Sequence, residues 1–178
     1  QSLIKAGSEH RKFLRQIEVW VDITAPLYWW KEYDTYKVGT VANSCSTMHK
    51  ITAKAFALAD FSYERLEPIS LKALQNTIDV LNYWREIYVL GNKDRQPKDK
   101  EVWYQLIQLL PSSYNQKRAV TLDYENIYSM IRQRQHHKLD EWSKDFIAWA
   151  RSLPYADELL FYGLDDTEKS EASVSATT

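Results

Sequence analysis

The sequence predicts a predominantly helical α+β fold with a small antiparallel or mixed sheet, and three observations carry that class. Leu71, Leu74, Ile78, Leu81, Trp84 and Ile87 recur at steps of three and four, the period of one face of a helix. Ile17, Val19, Val21 and Ile23 alternate with Glu18, Trp20 and Asp22, the period of a half-buried strand. Between and beyond these lie further helical patterns and one short β-prone run, Ala119 to Leu122.

In chain order, Ser2 to about Arg15 reads as a helix and leads into the strand at 17–23. Thr24 is a cap candidate and Pro26 fits a first turn, so a short aromatic helix is expected from Pro26 to about Tyr36. Val38 to Ser46 lacks helical periodicity and carries Gly39, Thr40, Asn43, Ser44 and Ser46, which marks a polar, functional loop. The long helix spans Ser70 to Leu90 with Gly91 as its stop. Asn92 to Lys100 is a charged surface loop, and Glu101 to Leu110 forms a helix that Pro111 ends. After the second strand, Asp123 caps a helix carrying Tyr124, Ile127 and Ile131, and helical spacing resumes through Trp142, Phe146, Trp149 and Leu153. Residues 1–164 read as one domain, and the acidic, then Ser/Ala/Thr-rich stretch 165–178 as a disordered tail. The chain opens on Gln1 rather than methionine, consistent with a trimmed or partial version of a longer protein.

Composition excludes several chemistries. Gly7, Gly39, Gly91 and Gly163 are the only glycines in 178 residues, and none lies near enough to another to build a phosphate-cradling glycine loop. Any phosphate must be gripped by side chains or a helix N-terminus. With 23 basic and 24 acidic residues the net charge is −1, which offers no general attraction to nucleic acid or anionic membrane. No apolar run is long enough to span a bilayer, and with no signal peptide the expected location is the cytoplasm. The single Cys45 fits a reducing compartment. Seven Trp, twelve Tyr and five Phe suit either a stacking surface for a flat ligand or a bulky core, the commoner use.

Few side-chain groupings point to chemistry. Cys45 and His49 are four apart, a spacing open to a thiolate–imidazole dyad, but no third group orients them. His10, His49, His136 and His137 have no metal-binding spacing, so no metal is expected. Arg132, Arg134, His136, His137 and Lys138 crowd two helical turns. Such a run is ordinarily a solvated face; its functional reading is an arginine clamp for phosphate or carboxylate, walled by Tyr124, Tyr128 and Trp142.

Taken together, the strand, the aromatic helix and the polar loop resemble the flavin-dependent thymidylate synthases of the ThyX type. That family has a strand, a helix ending in Gln and R-H-R, then x-x-S-x-N-E-x-S-x-R-Y. Aligned from Trp20, the family's Gln falls at Glu32, R-H-R at Thr35-Tyr36-Lys37 and the next serine at Thr40. With one residue inserted, the Asn falls at Asn43, the Glu at Ser44, the second Ser at Ser46 and the closing Arg-Tyr at Met48-His49. Ile131-Arg132 through His136 resembles the family's late nucleotide-contacting arginine and histidine turn. The matching segments run from Gln16 to Lys50 and from Thr121 to Leu153.

The resemblance implies reductive methylation of dUMP, with methylenetetrahydrofolate supplying the carbon, reduced FAD the hydride, and no protein nucleophile. It implies Arg132 or Arg134 on the uracil or phosphate, Ser46 and Asn43 on the phosphate, Glu32 at the substrate-side glutamine position, and Lys37, Thr40 and His49 toward the flavin. It also implies a homo-oligomer, a tetramer with sites between subunits. Three motif arginines are reduced to Lys37. Charge-assisted hydrogen bonds are worth about 1.5–3 kcal/mol each, so losing two removes about 3–6 kcal/mol, roughly 10²–10⁴ in affinity. Two other functions therefore stand beside the enzyme: a non-catalytic nucleotide-binding protein that retains the fold, and a protein-interaction module using the aromatic face.

Overall fold

A computed structural model describes residues 2–44 and 50–164. The fold is α+β, mainly helical, with a three-stranded antiparallel sheet. β1 (Glu18–Pro26), β2 (Val41–Ser44) and β3 (Asn115–Asp123) lie in the order β1-β3-β2. β1 alternates as the sequence predicts, with Val19, Val21 and Ile23 half-buried and Glu18, Trp20 and Asp22 exposed. Both long strands run past their predicted limits. Thr24 lies within β1 and caps nothing; Pro26, extended at ψ 154°, is the residue from which helix α2 (Leu27–Tyr33) departs.

Other boundaries also move. The predicted helix from Ser2 to Arg15 is broken into α1 (Ser2–Lys5) and a 3₁₀ turn at Lys12–Gln16. The break is at Gly7, which takes φ +103° and offers its carbonyl to the amides of His10 and Arg11. The aromatic helix stops at Tyr33, short of the predicted Tyr36. Part of the predicted polar loop is strand β2; Cys45, Ser46 and His49 lie outside the described residues.

The chain divides into two compact units. One draws on residues 22–34, 43–44 and 50–118. Its frame is α3 (Pro68–Leu90), packed on α4 (Lys100–Leu109), with Ile51, Phe56, Phe61, Leu74, Ile78, Leu81 and Leu106 in the core. α3 stops where Gly91, at φ +73°, donates its amide to the Ile87 carbonyl at 2.8 Å. Asp99 caps α4 by accepting from the Glu101 amide at 2.8 Å. In the same unit Trp30 donates its indole N–H to the Gln116 carbonyl at 2.9 Å, and Arg118 lies over the Trp30 ring and pairs with Asp34 at 2.7 Å.

The other unit draws on residues 2–21, 35–42 and 119–164. At its centre is α5 (Tyr124–Arg134), whose Ile127, Met130 and Ile131 are fully buried. A six-residue π-helix at Glu141–Phe146 then leads into α6 (Ile147–Arg151), and α7 (Ala156–Leu159) closes the chain's last described turn. Among the described residues no helix is long and apolar enough to cross a membrane.

Tyr33 carries a testable consequence. Its hydroxyl is buried among Trp29 and Trp30 with no hydrogen-bond partner among the described residues. Burial pushes the phenol well above its ordinary value, and Asp34 adds to the shift. Its contribution to stability is fully present below about pH 10, the ordinary tyrosine value, and is lost as pH rises toward the folded value. Tyr33→Phe removes an unsatisfied hydroxyl, so urea unfolding near neutral pH is expected to show stability unchanged or raised by up to about 1 kcal/mol. The loss of stability on the alkaline side becomes shallower than in the wild type.

Candidate functional site

The candidate site is built on α5 and the short strap that crosses it, residues 35–42. At the start of the helix Asp123 and Asn126 cap each other. The Asn126 amide donates to Asp123 Oδ1 at 2.8 Å, and the Asp123 amide to Asn126 Oδ1 at 3.2 Å. Asn126 has a second task, because its Nδ2 donates to the Val38 carbonyl at 2.8 Å. Gly39 follows at φ +74°, so close that a Cβ there would lie 2.9 Å from Asn126 Oδ1. Only glycine tolerates both the conformation and the approach.

At the far end of α5 the strap is held again. Tyr36 donates its hydroxyl to Gln133 Oε1 at 3.0 Å and accepts from Arg134 Nε at 2.8 Å. The Arg134 guanidinium lies 5.5 Å from the Tyr36 ring centroid and 5.2 Å from that of Trp142. Trp142 is fully buried and packs its edge on Phe146 at 5.2 Å. The π-helix that carries Trp142 is a wide turn of a kind frequent at functional sites. The Thr40 hydroxyl donates to the Tyr36 carbonyl, tightening the strap's own turn. The result is a cation beside two aromatic rings, tied at the edge of one of them to a phenol.

Arg132 and Arg134 are two apart, and residues at that spacing do not share a helix face. Arg132 turns the other way, donating to the carbonyls of Tyr128, Leu160 and Tyr162 at 3.2, 3.0 and 3.0 Å. Its guanidinium covers the Tyr128 ring at 3.2 Å, and burial lowers its pKa from the ordinary arginine value. Arg11 covers the same ring at 4.4 Å and pairs with Glu125 at 2.9 Å; that hydrogen bond raises the Arg11 pKa. Tyr124 is buried and donates to the Pro154 carbonyl at 2.7 Å. Tyr124 and Tyr128 are thus packing residues here, and of the three predicted walls Trp142 alone flanks Arg134 in these contacts.

The structure brings Thr40 and Arg134 to one strap, with Lys37 exposed on it. Glu32, on α2, and the exposed Asn43, on β2, belong to the other unit. Ser46 and His49 lie outside the described residues. Sequence reasoning missed Tyr36, Gln133 and Asn126 as site residues. Tyr36 occupies the motif's histidine position, which was the available signal; nothing in the sequence marks the Asn126 contact to the strap.

Gly39→Ala is expected to destabilise the protein by about 1–3 kcal/mol, the cost of a non-glycine residue held in a sparsely populated backbone region. Gly163→Ala is the comparison, since Gly163 also has positive φ, at +81°, but a Cβ there meets nothing within 4 Å. Chemical denaturation of the two variants checks the difference, with Gly39→Ala the larger loss.

Neither a protein-family model nor a curated protein matches the chain. Solved structures do. The flavin-dependent thymidylate synthase ThyX from Helicobacter pylori, complexed with FAD and dUMP, superposes with a TM-score of 0.54 at 13% identity, covering 87% of this chain and 83% of that one. A UMP/dUMP methylase, PolB from Streptomyces cacaoi bound with 5-Br UMP, superposes with a TM-score of 0.54 at 12% identity, covering 86% of this chain and 82% of that one. The chain therefore has a ThyX-like fold.

Proposed function

We propose that this ThyX-like chain binds a pyrimidine nucleoside monophosphate of the dUMP class on the Tyr36–Arg134 platform. The observation that carries the reading is the fixed guanidinium: Arg134 Nε is tied to Tyr36 Oη at 2.8 Å, so ordering the side chain costs little when ligand arrives. Planar, bidentate donation suits a phosphate, and the adjacent exposed Lys37 adds a second positive charge. The similar solved structures, whose own ligands are dUMP or 5-Br UMP, support the choice of nucleotide.

The flavin is a separate matter. When bound, FAD would supply the hydride for reductive methylation of dUMP with methylenetetrahydrofolate. Of the residues aligned toward it, Lys37 is one cation, and the Thr40 hydroxyl already donates to the Tyr36 carbonyl. A pyrophosphate carries more charge than these donors match, so the described cofactor positions do not fit FAD, and no step is routed through it. Nucleotide binding without bound flavin is the function that the described residues support best. A homo-oligomer, tetrameric in the resemblance, belongs to the same proposal.

Isothermal titration with dUMP tests the reading. Arg134→Ala is expected to weaken binding at least about tenfold, equivalent to about 1.4 kcal/mol, while Lys138→Ala, on the exposed turn beyond the helix, leaves it unchanged. Equal effects of the two substitutions, or no binding by the wild type, would overturn the proposal. FAD titration is expected to give neither heat nor a retained flavin absorbance band.

A further inference from the structure

The segment 52–66 runs beside helix α3 without closing over its first turns, and its polar residues show why. Two side chains of the helix pin it at one end. Asn82 accepts from the Phe56 amide at 2.8 Å and donates to the Phe56 carbonyl at 2.9 Å, and Arg85 donates to the Thr52 carbonyl at 3.0 Å. Further along, the Ser62 amide donates to the Ser113 carbonyl at 2.8 Å. The segment's carboxylates are used within it: Asp60 accepts from the Ala57 amide and pairs with Lys54, and Glu64 accepts from the Tyr63 amide and the Ser62 hydroxyl. The side chains left to face the helix are apolar, Leu58 and Leu66. On the helix, Leu71, Lys72 and Gln75 lie three, four and seven residues beyond Pro68, so the four share one face. These six residues line an open groove of about 470 Å³.

We propose that this groove is a binding site for a small amphipathic anion, an apolar chain or ring bearing one carboxylate. The lining selects that class. Leu58, Leu66, Pro68 and Leu71 offer only apolar contact, and Lys72 is the one charged residue among the six. Lys72 is exposed and has no ion-pair partner among the described residues, so it complements a single negative charge. No carboxylate lines the groove, and the Gln75 amide nitrogen is given to Asp79 at 3.1 Å. A ligand rich in polar groups would therefore lose hydration without gaining partners. Size decides between a small molecule and a protein. A stable protein contact covers roughly 800 Å² on each partner, which a trough two helical turns long, roughly 10 Å, does not supply. Its volume suits a small ligand. Because the hydrogen bonds that hold the segment 52–66 leave the groove itself untouched, the site exists before ligand arrives and binding orders little. The groove and its fastenings belong to the unit that contains α3, and the strap residues 35–42 to the other, so the inference does not rest on nucleotide binding.

Isothermal titration of the full chain with decanoate, and with 1-decanol as the uncharged comparison, tests the site, with circular dichroism melts as the folding check. The wild type is expected to bind one equivalent of decanoate. Lys72→Met keeps the apolar stem and removes the charge; it is expected to weaken decanoate about two- to fivefold, the worth of one exposed ion pair, and to leave decanol unchanged. Leu66→Asp puts a carboxylate into the wall and is expected to weaken decanoate at least about tenfold. Leu66 is already 39% exposed, so the fold bears that change. No saturable binding by the wild type, or unchanged binding in Leu66→Asp, overturns the site. Unchanged decanoate affinity in Lys72→Met, or an equal loss of decanoate and decanol, overturns the role of the charge and with it the anionic class. The titrations contain no nucleotide, so a chain that binds decanoate and not dUMP refutes the proposed function and leaves the groove standing.

Discussion

The site depends on one side chain, the amide of Asn126. It closes the cap at the start of α5 through Asp123 and at the same time donates to the Val38 carbonyl at 2.8 Å. Asn126 and Gln133 are seven residues apart, two helical turns or roughly 10 Å of rise. One short strap fastened at both ends of that span has little freedom left, and its direction decides where the Tyr36 ring lies. The absence of a side chain at Gly39 is part of the same constraint, because it lets the strap approach the cap. The local rule that begins a helix thus also delivers a phenol to the helix's other end.

The positive charges on α5 divide by this geometry into two kinds. Arg132 spends its donors on three carbonyls, two of them in the last described turns of the chain, and stabilises that segment. Its lowered pKa reflects burial, the cost of using a cation as a fastener. Arg134 is tied through Nε to the Tyr36 hydroxyl and lies near the Tyr36 and Trp142 rings. Both lie in the last turn of α5, where positive charge offsets the helix's negative end. That electrostatic role is shared; the difference lies in what each guanidinium is fastened to.

Much of the frame was legible because it rests on local rules. The period of α3, the glycine that stops it and the Asp123 cap are all written in neighbouring residues, and each stands in the structure. The alternation in β1 gave its two faces, but its end was obscured by Thr24 and Pro26, which serve equally well as helix-start signals. The first segment has helical composition through Arg15, yet Gly7 folds it into a turn. For the site, the clamp on α5 was visible as a charge run, while its sorting was not. Which of two arginines faces the strap is settled by the phase of the helix against Tyr36, nearly a hundred residues away in sequence. The π-helix under Trp142 is equally silent in a pattern whose steps of three and four suit an ordinary helix.

If Asn126 acts on ligand only by positioning the strap, its effect must pass through Tyr36 and Arg134. The direct measurement is a double-mutant cycle on dUMP affinity with Asn126→Ala, Arg134→Ala and the pair. The account predicts strong coupling: Asn126→Ala weakens binding in the wild type and costs nothing further once Arg134 is gone. Additive losses would contradict it, because they would mean that the cap and the clamp serve the ligand independently.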